Sequence, residues 1–143
     1  MSPVRTLSRP LLASMFVLGG AESLVRPGSR VERVRAAGLD RPEQLVRANG
    51  LAMTVAGLAL AAGRLPRVSA AVLAATLLPT TVVGHPFWAE RDPAVRAGQR
   101  AHFVKNLGLL GGLLATAADT GGRESVPHAA GRLGRKARRA LAD

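Results

Sequence analysis

The sequence predicts an all-α integral membrane bundle of four transmembrane helices, with a short amphipathic segment between helices 1 and 2. Two observations carry this reading. Val68 to Ala89 runs 22 residues without a formal charge, and Ala48 to Gly63 gives another 16, extended by Leu45 and Val46. A span needs about 20 mostly apolar residues, with roughly 17 to 25 tolerated. Ala, Leu, Val and Gly also occur almost all round the second and third helices. Helices apolar on every side belong in a large core or a membrane, and 143 residues cannot supply the large core. A soluble bundle would need polar outer faces there. The mean hydropathy of +0.16 conceals this separation of apolar helices from Arg-rich connections.

The first helix is expected over about 7–25. Arg5 and Arg9 lead into an apolar run from Pro10 to Val25, and Gly19-Gly20-Ala21 has the small-x-small pattern of a cleavage site. With later spans in the chain, an uncleaved first helix is the commoner outcome. In segment 28–40, Val31, Val34 and Leu39 alternate with Arg30, Glu32, Arg33 and Arg35, the pattern of an interfacial helix. Gly38 is expected to end it. Asp40 reads as an N-cap with Pro42 in the first turn, opening a second helix over about 41–62. Gly63 to Arg67 is a tight connection.

The third helix is expected over about 68–84, with a kink at Pro79 and Thr76, Thr80 and Thr81 placed to bond freed carbonyls. Glu90 to Gln99 reads as a polar loop holding Pro93. The fourth helix is expected over 101–118 and stops at Gly121-Gly122; Gly108 and Gly112 have the GxxxG spacing of a close helix contact. The transmembrane domain thus covers 1–122, and 123–143 is a basic tail with Arg132, Arg135, Lys136, Arg138 and Arg139, suited to anionic lipid. That cluster favours cytoplasmic N and C termini in a multi-pass protein of the cell membrane, while Arg26, Arg30, Arg33, Arg35, Arg41 and Arg47 pull the other way.

The charge is +11, from 20 Lys+Arg against 9 Asp+Glu, which invites a nucleic-acid reading. The basic residues lie between apolar segments, not along one face, and no zinc-finger or RNP pattern is present, so no nucleic acid is expected as partner. The chain has no cysteine, which removes disulfides, thiolate metal sites and thiol redox chemistry.

Alternation of four spans brings the end of the first helix, the start of the second, the end of the third and the start of the fourth into one leaflet. Glu22, Asn49, His85, His102, Lys105 and Asn106 gather there, with Trp88 beside them, and these seven are the candidate ligand-binding residues. Ionisable groups in membrane helices are costly and point to function by default. Glu22 and Lys105, the only formal charges in the apolar run Pro10 to Val25 of the first helix and in the fourth helix, are expected to pair. No catalytic residue can be assigned. No metal site is expected, since the two histidines lack a local ligand spacing such as HExxH. Two readings stay open: a pocket for a ligand such as a quinone, or polar glue between helices. Phe87, Trp88 and Phe103 suit an interfacial aromatic belt or a stacking site.

Leu45-Val46-Arg47-Ala48-Asn49-Gly50, the run from Leu78 to Trp88, and Gln99 to Asn106 with Gly111 to Leu114 resemble the DoxX family, over roughly residues 5–125. The resemblance implies four transmembrane helices in a bacterial cytoplasmic membrane. It also implies kinship with subunits of thiosulfate:quinone oxidoreductase and with oxidative-stress complexes. It supplies no agreed catalytic residues. On this reading the chain is a membrane subunit or accessory of a quinone-linked redox system and not a stand-alone enzyme. It has no intrinsic cofactor, and its expected partners are the lipid bilayer, an oxidoreductase subunit and further copies of itself. The alternative is a non-catalytic structural or interaction protein whose polar cluster only stabilises the bundle.

Overall fold

Proline and glycine divide the chain into helices. Pro42, Pro66 and Pro93 each stand in a first turn, where the missing N–H has no intrahelical partner to lose. Gly38 and Gly63 take positive φ just past two helix ends, and their N–H groups bond back to Arg35 O and Leu60 O. The computed structural model describes residues 3–119. Within them lie α1 Pro3–Val25, α2 Gly28–Ala36, α3 Pro42–Ala61, α4 Pro66–Gly84 and α5 Pro93–Ala118, with a 3-10 turn at Phe87–Ala89. There is no strand among the described residues, so the fold is all-helical. The basic tail and the Gly121-Gly122 stop lie outside them.

Two helix starts differ from the sequence expectation. Asp40 does not cap α3; Arg41 occupies that position with φ of 51° and makes no side-chain cap. Asp92 does cap, accepting at Oδ1 from the N–H groups of Ala94 (2.8 Å) and Val95 (2.9 Å). The last helix therefore begins at Pro93 and not near 101, and most of the expected loop 90–99 is helical. Asp followed directly by Pro is the N-cap and first-turn pairing. Asp40 stands one residue too far from Pro42 for that geometry.

α1 packs chiefly on α3, α3 on α4, and α4 on α5, while α1 and α5 barely touch. The α1–α3 seam depends on missing side chains. A Cβ on Gly50 would lie 2.8 Å from Gly20 O, and one on Gly20 would lie 2.7 Å from Gly50 O. On Gly57 it would strike Val17 Cγ2 at 2.8 Å. Among the described residues the expected GxxxG contact on α5 does not form: nothing lies within 4 Å of a Cβ on Gly108, and Gly112 meets the Leu12 side chain and no backbone. Small residues allow close approach, but only where a second backbone arrives.

Phe16, Leu60, Leu73 and Leu113 are the largest fully buried side chains; the three leucines join α3, α4 and α5 at one end of the bundle, and Phe16 of α1 lies between that end and the other. Apolar residues also cover the outside: Leu7, Leu11 and Leu18 on α1, Leu51, Val55 and Leu58 on α3, Val68, Leu78 and Val82 on α4, Val104, Leu107 and Leu114 on α5. Among the described residues one stretch, Pro66–Ala89 with α4 at its centre, is long and apolar enough to cross a membrane by composition alone. α3 falls short of that measure because Gln44, Arg47 and Asn49 stand in its opening turns.

α4 continues through Pro79 without a break. The hydroxyls of Thr76, Thr80 and Thr81 donate to Leu73 O, Thr76 O and Leu77 O. None of these is Ala75 O, the carbonyl four residues before Pro79 that loses its N–H partner.

Candidate functional site

The end opposite the leucine core is wide. α1 ends there, α3 starts, α4 ends and α5 passes through, and α2 lies across them against α3 and α4. Between these elements is a cavity of about 720 Å³. Met15, Phe16, Met53, Leu77 and Leu109 contribute its apolar wall. Five of the seven sequence-predicted residues line it as well: Glu22, Asn49, His85, Lys105 and Asn106.

Each polar group has a specific setting. Asn49 Nδ2 donates to Thr80 Oγ1 (3.1 Å) and to the sulfur of Met53 (3.4 Å), tying α3 to α4. Buried Asn106 donates to Thr81 Oγ1 at 3.1 Å, tying α5 to α4. Both amides keep an acceptor oxygen, and Asn106 also keeps a second N–H. His85, just past the last turn of α4, places Nδ1 2.8 Å from Gln99 Oε1, a bond in which the imidazole N–H donates. That leaves Nε2 as an acceptor.

His102 and Trp88 are near the cavity without lining it. The His102 ring stacks on His85 at 5.1 Å between centroids. Trp88 packs edge-on with Phe87 and Phe103, at 5.2 and 5.9 Å, in a separate aromatic cluster. Among the described residues, no third ligand-type side chain joins the two histidines in a metal-holding group.

The expected Glu22–Lys105 pair does not form. Glu22 Oε2 is instead 2.6 Å from Arg30 Nη2. The turn at Arg26-Pro27 folds α2 back beside the end of α1, so a cation eight residues on reaches Glu22 with little loss of chain entropy. Lys105 is on α5, across the cavity, with no hydrogen bond or ion pair among the described residues.

Arginines hold several helix ends. Arg47 donates to Leu24 O at the end of α1, Arg33 to Gly84 O at the end of α4, both at 2.6 Å, and Arg67 to Ala117 O at the end of α5. A cation there meets the orphan carbonyls and the negative end of the helix dipole. Sequence reasoning missed Arg33, Thr80, Thr81 and Gln99 as parts of the site. Arg33 and Gly84 lie 51 residues apart, and no local spacing marks such a contact. The site provides hydrogen-bond donors, acceptors and cations around an apolar space, so it can bind and orient a ligand and hold a proton at His85.

Comparison with known proteins adds one finding. The family model for DoxX matches residues 4–86, which takes in α1 to α4 with Glu22, Asn49 and His85. The match stops before the Gln99–Asn106 motif, so α5 and its Lys105 and Asn106 stand outside it. No curated protein and no solved structure matches the chain. The helices, their order and this match agree: the chain belongs to the DoxX family of membrane proteins.

Proposed function

We propose that this protein is a membrane subunit or accessory of a quinone-linked redox or oxidative-stress system, and that the polar-end cavity receives the quinone ring. The observation that supports this most is the cavity: about 720 Å³, apolar-walled, with Asn49, His85, Lys105 and Asn106 converging on it. Small-molecule sites have this character, roughly 300–1,000 Å³ of mostly apolar lining with a few placed polar groups. A quinone has two carbonyl oxygens to accept hydrogen bonds and an apolar tail to fill the remainder. The chain's part is to bind and orient; electrons pass through the quinone and a partner oxidoreductase.

The same reading gives the bundle four spans. α1, α3, α4 and α5 have 23, 20, 19 and 26 residues, about 28 to 39 Å at 1.5 Å per residue, against a hydrocarbon core of about 30 Å. Their outward apolar stripes suit lipid. Both termini are cytoplasmic on this reading. The absence of native cysteine allows a clean check. Arg35→Cys and Arg91→Cys should react with an impermeant maleimide from outside the cell, and Arg64→Cys only after permeabilisation. The reverse pattern inverts the orientation, and equal labelling of all three removes the four-span topology.

A second reading also has an observation in its favour. Among the described residues no buried polar side-chain atom lacks a partner, and the Asn49–Thr80 and Asn106–Thr81 bonds act as glue between helices. Purification in mild detergent, with mass spectrometry of bound lipophilic molecules and proteins, separates the two. The redox reading expects a quinone and an oxidoreductase subunit to co-purify; recovery of the chain with neither supports a purely structural role.

A further inference from the structure

The wide end holds more positive charge than its own carboxylates neutralise. Three of this region's carboxylates are used in ion pairs, Glu22 with Arg30, Glu32 with Arg35 and Glu43 with Arg47, while Asp92 caps α5 and Asp40 and Glu90 form no ion pair among the described residues. Arg33 and Lys105 both line the cavity, and neither has a carboxylate partner among the described residues. Arg33 gives one N–H to Gly84 O, which leaves most of its five-donor fork unused. Arg33 reaches the end of α4 at Gly84 O, and the next residue, His85, stacks on His102, one turn before Lys105 on α5, so α2 and α5 bring the two cations to the same end of α4. α1 and α5 meet where Leu12 faces Gly112, and beyond that contact Met15 and Gly19 on one helix and Lys105 and Leu109 on the other border the cavity.

We propose that Arg33 and Lys105 form a subsite for the phosphate head of an acidic membrane lipid in this cavity, between the end of α4 and α5. A cation at membrane depth is costly without a counter-charge. A lipid phosphate supplies one, with oxygens that a guanidinium takes two at a time and an ammonium takes as a point charge. Met15, which lines the same cavity and is also exposed on the outside of α1, gives an acyl chain an apolar surface that a free phosphate ion would not use. The subsite does not depend on a quinone being the cavity's occupant, and quinone retention is measured separately.

The test uses the full chain in detergent with equal amounts of phosphatidylglycerol and phosphatidylcholine, and native mass spectrometry to count retained lipid. Wild type should keep phosphatidylglycerol in preference. Lys105→Gln and Arg33→Gln should each weaken that preference about fivefold, the effect of one basic residue on an acidic lipid. Lys105→Arg should preserve it. Arg64→Gln, the same charge change at the other end, should leave it unaltered. Equal retention of the two lipids, or an equal loss in Arg64→Gln, would overturn the proposal. So would inorganic phosphate raising the melting temperature as much as phosphatidylglycerol does, since the site would then be one for a soluble anion.

Discussion

Where α3 ends and α4 begins, Leu60, Leu73 and Leu113 are fully buried and the bundle is closed. At the other end the same four long helices enclose about 720 Å³ and surround it with amides, an imidazole and cations. The contrast separates two tasks. The closed end fixes how the helices stand, and the open end keeps room for something else. The seams make the same point. α1 lies against α3 through Gly20, Gly50 and Gly57, where no Cβ fits, yet stands off from α5 with only Leu12 near Gly112.

The largest expected effect falls on the closed parts. Leu73→Ala removes a fully buried side chain and should lower stability by about 2 kcal/mol or more, read by melting in detergent. Gly50→Val places a branched side chain against Gly20 O and Ser23 and should cost about 1–3 kcal/mol, whereas Gly108→Ala, with open space around it, should be neutral. If the two glycine variants melt alike, the close α1–α3 seam is wrong. Asn106→Leu deletes the α4–α5 bond to Thr81 and should lower stability by about 0.6–2 kcal/mol. Glu22→Gln comes last. Its pair with Arg30 is more than half exposed on the glutamate side, and the loss should be under about 1 kcal/mol.

The two ends are legible in the sequence, because charge and amide residues interrupt the apolar runs at only one level of the bundle. Glu22, Asn49, His85, Lys105 and Asn106 could be placed together from helix direction alone. Who pairs with whom could not. Glu22 turns to Arg30 because a tight reversal at Pro27 delivers it, and Arg33 reaches Gly84 across 51 residues. Glycine spacing likewise marked α5, while the close contact is at Gly20 and Gly50, since a small residue matters only where another backbone meets it. The start of α5 is legible in Asp92-Pro93, although the polar character of 90–99 suggests a loop; the same pairing logic at Asp40 points to a cap that does not form, because Arg41 intervenes before Pro42.

The most direct test of the central claim is the melting temperature of the protein in detergent with and without a saturating short-chain quinone, for wild type, Leu73→Ala and the double variant Asn49→Leu/His85→Leu. The account predicts a rise of several degrees in wild type, as expected for a ligand that binds only the folded state. Leu73→Ala should melt lower but keep the rise, and the double variant should lose it. A quinone that leaves wild type unmoved, or one that shifts the double variant as much as wild type, would contradict the assignment of the open end as the ligand site.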